Sequence, residues 1–189
     1  VEIAHTSEHW PGGLIDNAWR GRVSDVCVLG LSPDSAEPRL YVEDWLFGAG
    51  RPCILYPDSS KQKFSADNVL ICWDFSRSAA RTVSDALPFL HNAKRVNVAV
   101  FRGEKDIPIA DPTTPLIAFL KEHGIAVEAK DVVIGKRTIG QAILEHAETT
   151  GANLILMGAF GHSRLREFLL GGATRELLAK STIPILMSP

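Results

Sequence analysis

The residues best placed to do chemistry lie in one stretch, Met157–Leu178, which reads MGAFGHSRLREFLLGGATRELL. Gly158 closes an apolar run, Gly161 follows after two residues, and Gly171 after nine more. Glycines so arranged let backbone N–H groups approach an anion, because no Cβ stands in the way. Gly171-Gly172-Ala173-Thr174 would bring further amides and the Thr174 hydroxyl to the same anion. A helix N-terminus nearby would favour its negative charge. His162, Ser163, Arg164 and Arg166 follow Gly161. Either arginine can donate to phosphate as a charged group, and all four can equally be the polar opening of a helix. Asp74, after another apolar run, either faces a ligand crevice or caps the next helix with Ser76 and Ser78.

The elements that must position these residues alternate from Ala66 onward. Asn68–Trp73 (NVLICW) reads as a fully buried strand, and Ser78–Leu90 has helical spacing at Ala79, Val83, Ala86, Leu87 and Leu90. Strands follow at Arg95–Phe101, Ile125–Ile134, Asn153–Gly158 and Ile183–Met187. Helices fall between them at Thr114–His123, Thr138–Thr150 and Leu165–Lys180, with Gly124 and Gly151 as stops. Strands alternating with helices predict an α/β fold: an open, Rossmann-like parallel five-stranded sheet with helices on both faces. A ligand in such a sheet belongs at the carboxyl ends of the strands.

The first sixty residues do not begin such a fold at its start. Val1-Glu2 followed by Gly30 at the end of Asp25–Gly30 mirrors Val127-Glu128 followed by Gly158. Phe47–Gly50 then leads to Arg51–Tyr56 as Gly171–Thr174 leads to Ile183–Met187. The expected organisation is a partial second copy at 1–57, a polar linker at 58–65 and a complete domain at 66–189. The partial copy lacks a second glycine at the required spacing after Gly30, so one competent site is expected. Its absent first half suggests a truncated chain, with a naturally shortened domain as the other explanation.

Bulk properties exclude several functions. Hydrophobic residues make up 46% and charged residues 22% of the 189, and the formal net charge is −2. Neither nucleic acid nor an acidic membrane is expected as a partner on that charge. The apolar runs fall well short of the ~20 residues that span a bilayer, and no secretory signal opens the chain. Cys27, Cys53 and Cys72 sit in apolar runs and read as free buried thiols of a reducing, cytoplasmic compartment. A redox sensor is the sharper reading, but no basic or histidine neighbour along the chain favours a thiolate. The histidines show no metal-ligand spacing, and no GxSxG elbow is present.

With its three glycines at G-x2-G-x9-G, the sequence resembles the universal stress protein family, whose nucleotide-binding members carry G-x2-G-x9-G-[ST]. The likeness covers 66–189, and the fold it implies is adenine nucleotide alpha hydrolase-like. The resemblance implies ATP, ADP or AMP as ligand, with Mg held through the phosphates, and a stress-response role with little or no hydrolysis. It places Asp74, Phe75 and Ser76 near adenine or ribose, Val100 beside the adenine, and Ala173 and Thr174 at the phosphates. The nucleotide-binding set expected is Asp74, Phe75, Ser76, Val100, Met157, Gly158, Gly161, His162, Gly171, Gly172, Ala173 and Thr174. Catalytic residues and a protein-held metal are not expected. Where the pattern asks for Ser or Thr, this chain has Gly172, which removes one hydroxyl; a regulatory protein that binds no nucleotide is the alternative. The resemblance also implies self-association or intrachain domain pairing through Cys53–Tyr56 and Ile183–Met187.

Overall fold

Alternation of side chains along the apolar runs builds two cores, one on each face of a sheet. The computed structural model describes residues 14–32, 38–60, 63–103, 110–159 and 172–189. A 3-10 helix, Leu14–Val23, precedes β1 (Cys27–Leu31), α1 (Pro38–Ala49) and β2 (Cys53–Pro57). Then come β3 (Asn68–Cys72), α2 (Arg77–Asp85), α3 (Leu87–Leu90), β4 (Arg95–Arg102) and α4 (Thr114–Glu122). The chain finishes through β5 (Glu128–Val133), α5 (Ile139–Thr150), β6 (Leu154–Met157), α6 (Gly172–Lys180) and β7 (Ile185–Met187). No helix among the described residues is long and apolar enough to cross a membrane.

The sheet has seven strands in the order β1-β2-β7-β6-β3-β4-β5. Strands β3 to β7 form the expected five-stranded parallel sheet. β1 and β2 extend it; they are parallel to each other, and β2 runs antiparallel to β7. On one face Leu70, Ile155, Ile185 and Leu55 pack under Val42 and Leu46 of α1, Ile143 of α5 and Leu177 of α6. On the other, Val69, Ile71, Leu156 and Leu186 meet Ala79 and Val83 of α2 and Leu116 and Leu120 of α4. Val28 of β1 points to this second face and is 65% exposed, because no described helix covers it there.

The structure shortens or divides several expected elements. The helix expected over Ser78–Leu90 breaks at Ala86: Pro88, lacking an N–H, starts a new turn instead of continuing the old one. Pro184 likewise delays the last strand to Ile185. The helix expected from Leu165 is described only from Gly172. Phe47–Gly50 forms the end of α1, with Gly50 at φ 63°, whereas Gly172–Thr174 opens α6, so the two glycine clusters do not correspond.

One buried hydroxyl ties three segments at the carboxyl end of the sheet. Thr82 on the inward face of α2 donates to Ser78 O at 2.8 Å and lies 3.3 Å from Met157 O. It also accepts the Ser188 N–H at 3.1 Å, just past β7. At the same end, the Trp73 indole N–H donates to Pro112 O at 2.7 Å, fixing the loop before α4. Asp111 caps that helix from outside: its carboxylate accepts the Thr113 and Thr114 amides at 3.1 Å and both hydroxyls.

Two outcomes follow from these contacts. Thr82→Val keeps the shape but leaves the Ser188 N–H buried without an acceptor, a loss of about 1–3 kcal/mol. Thermal unfolding of the variant should therefore move down by several degrees. The bonds from Thr114 and Thr113 hold Asp111 at about 2, below its ordinary 3.8. A depressed carboxyl stabilises above its unfolded pKa and loses that contribution as pH falls through the folded one. Asp111→Ala should thus melt lower than the parent above pH ~4, and the difference should close as pH falls toward ~2.

Candidate functional site

The chain lays β3, β4 and β5 in one direction and then returns, placing β6 on the opposite side of β3. A crevice opens at such a switch point, because the loops leaving the two neighbouring strands turn to opposite faces. Cys72 pairs with Met157, so β3 exits through Trp73-Asp74-Phe75-Ser76 directly beside the exit of β6 through Gly158. The structure thus brings together Asp74, Phe75, Ser76, Met157 and Gly158 of the expected set.

The β3 exit is a constrained turn. Asp74 is exposed, and its Oδ1 accepts the Ser76 N–H at 2.9 Å. Ser76 is itself the cap of α2, accepting the Ala79 N–H at 3.1 Å. Phe75 between them has φ 62°, and no other described residue apart from glycine has a positive φ. A bulky side chain in that region costs on the order of 1 kcal/mol or more, and such residues cluster at functional sites. The Phe75 ring meets Trp73 edge-on at 6.0 Å and is 37% exposed, so an aromatic edge stands at the mouth of the crevice.

The β6 exit is equally tight. A Cβ on Gly158 would lie 2.5 Å from the Ala79 backbone nitrogen and 2.6 Å from Ser78 Oγ. Glycine is therefore required where the strand end runs over the first turn of α2. Met157 is buried beneath it.

Of the other expected residues, Val100 is at the same end of the sheet, since Ala99 before it pairs with Cys72. Val100, expected beside an adenine, is fully enclosed in the core with Ile71 and Leu116 and presents no open surface. Thr174 is 4% exposed in the first turn of α6. Ala173 is half-buried, and Gly172 is exposed with open space where a Cβ would stand. Gly161, His162 and Gly171 lie outside the described residues, as do Ser163, Arg164 and Arg166.

Helix α6 is anchored through α5. Glu176 hydrogen-bonds the Thr138 hydroxyl and pairs with Lys180 at 2.9 Å, and these bonds lower its pKa. Gly140 makes room for it, since a Cβ there would meet Glu176 at 2.6–2.9 Å. Sequence reasoning missed Glu176, Trp73, Thr82 and Asp111. Two carried a signal: Asp111 precedes a Thr-Thr-Pro helix start, and Thr82 is polar on the otherwise apolar face of α2.

Comparison with known proteins gives the family. The universal stress protein family profile matches residues 66–189. Universal stress protein Slr1230 of Synechocystis sp. is 28% identical over 142 residues, covering 72% of this chain and 46% of that protein. The chain thus spans about half the length of that relative. Stress response protein NhaX of Bacillus subtilis is 24% identical over 166 residues, covering 66% of this chain and 98% of that protein. Among solved structures, a universal stress protein from Archaeoglobus fulgidus DSM 4304 superposes with a TM-score of 0.68 at 18% identity. It covers 92% of this chain and 65% of its own, and at that identity the likeness concerns the fold. The chain belongs to the universal stress protein family.

Proposed function

We propose that this chain is a nucleotide-binding regulatory module of the stress response, taking an adenine nucleotide, ATP first, at the β3–β6 switch point. The observation that carries the reading is the adjacency of the Asp74–Ser76 turn and Gly158 across one strand pair. An exposed carboxylate on one lip suits a ribose or adenine edge. The glycine-bearing exit of β6, beside the first turn of α2, suits an anion. Mg would arrive on the nucleotide's own phosphates. Asp74 is engaged by the Ser76 amide at the proposed base end, which argues for binding with little or no hydrolysis.

The same reading includes a partial first copy and one competent site in a cytoplasmic protein. β1–α1–β2 repeats the order of β6–α6–β7, each pair of strands is parallel, and α1 and α6 share a face. The antiparallel β2–β7 seam then supports intrachain domain pairing around an approximate two-fold normal to the sheet. A second reading, a regulatory protein of this fold without nucleotide, is favoured by the burial of Thr174 and the missing hydroxyl at Gly172.

The readings separate on purified protein. Acid or solvent extraction followed by mass spectrometry should release ATP or ADP, and calorimetry should show heat on titration with MgATP. Gly172→Ser places a hydroxyl in open space, and one added hydrogen bond of about 1 kcal/mol should tighten binding roughly fivefold. No released nucleotide and no heat at millimolar MgATP would sink the first reading and leave the second. Steady turnover above ~1 s⁻¹, a rate of dedicated enzymes, would overturn both.

A further inference from the structure

The described cysteines are all free and buried, yet two of them are neighbours. Cys27 opens β1, Cys53 opens β2, and the parallel register pairs the two residues. Residues paired across neighbouring strands point to the same face, and both thiols belong to the core under α1. Strands in a sheet run about 4.7–4.9 Å apart, inside the Cα separation of 4.4–6.8 Å that a disulfide accepts. The Cys53 thiol donates to the Arg51 carbonyl at 3.6 Å, and its sulfur lies in the same core as that of Cys27.

The surroundings distinguish the two sulfurs. Interaction with the Cys53 thiol lowers the pKa of Cys27 against the opposing effect of burial, and the Arg51 charge adds to the lowering. Arg51 is held in place by bonds from Nε and Nη2 to Arg22 O, at 3.0 and 2.7 Å. Cys53 is pushed the other way, by its interaction with Cys27 and by burial. Cys27 is 7% exposed and Cys53 0%, so a small oxidant meets Cys27 first. Gly21 of the 3-10 helix lies over it; a Cβ there would stand 2.8 Å from the Cys27 sulfur. Cys72 lies on β3 with a raised pKa from burial, which makes it an internal control.

We propose that Cys27 and Cys53 form a redox-active dithiol, oxidised by hydroperoxides to a reversible disulfide between β1 and β2. The Cys27 thiolate attacks a peroxide oxygen, the O–O bond breaks, and hydroxide leaves as Cys27 becomes a sulfenic acid. The Cys53 sulfur then attacks the Cys27 sulfur, the S–O bond breaks, and hydroxide leaves with the Cys53 proton as water. Two electrons pass from the two thiols to one hydrogen peroxide, giving one disulfide and two waters. This function is independent of nucleotide binding.

Peptide mapping of the reduced full chain after stoichiometric hydrogen peroxide tests it, with residual thiols blocked by N-ethylmaleimide in denaturant. The expected product is a Cys27–Cys53 linked peptide, about 2 Da lighter than the two reduced peptides together, with Cys72 fully alkylated. Dithiothreitol should return both peptides to the alkylated form. In Cys53→Ser, dimedone should label Cys27 as a trapped sulfenic acid. Full alkylation of Cys27 and Cys53 after peroxide would overturn the proposal, as would oxidation of Cys72 at the same rate. The parent-chain map decides the matter even if the variant fails to fold.

Discussion

In the β3–β6 ladder Val69 pairs with Leu154 and Cys72 with Met157, so two strands far apart in sequence finish at the same level. Both are buried on both faces, and their alternating side chains feed both cores. Most of what lies at the carboxyl end of the sheet is a consequence. With the strand ends level, the β3 exit must turn at once, and Phe75 takes a left-handed conformation to do so. The α2 helix that follows is drawn across β6, close enough that residue 158 has no room for a side chain. Thr82 then satisfies a backbone group from the segment after β7, which could not otherwise be buried there.

The β2–β7 seam is the second constraint, and it is of a different kind. Only three residue pairs hold it, Cys53 with Met187, Ile54 with Leu186 and Leu55 with Ile185. All six are buried, so the seam contributes apolar burial as well as ladder bonds. Without β1 and β2, the β7 edge would be an unpaired row of backbone groups flanked by apolar side chains. The added strands remove that edge and shift the problem outward to β1, whose Val28 stands bare on one face. The two added strands therefore cover one edge of the sheet and leave another, at β1.

Much of this was legible in the sequence because buried parallel strands write themselves as continuous apolar runs. NVLICW, NLILMG and the helical spacing between them gave the strand order of chemistry along the chain and the crevice end of the sheet. Glycine at 158 stood out in the sequence as a place for an anion to approach the backbone, whereas the contact seen there is the close approach of α2. What escaped was set by tertiary contacts between polar groups distant in sequence. Thr138 with Glu176, Trp73 with Pro112, and Thr82 with Ser188 have no periodic signature. Local chemistry misled once: Phe47–Gly50 looks like a loop glycine cluster but closes a helix, where a left-handed glycine after the last turn is equally at home.

The same polar contacts join the two ends of the molecule. Cys53 pairs with Met187, the next residue Ser188 donates to Thr82, and Thr82 touches Met157, whose successor is Gly158. Each step is a direct contact through buried atoms, so a displacement at the β1–β2 end has packed material all the way to the switch point. Contiguity alone does not couple two sites; coupling needs an element with two arrangements that both sites bias. The described fold has one place where a disulfide could join neighbouring strands, the Cys27–Cys53 pair at the start of β1 and β2. Strand β2 is shared between that pair and β7, so it is the element through which any such bias would have to pass.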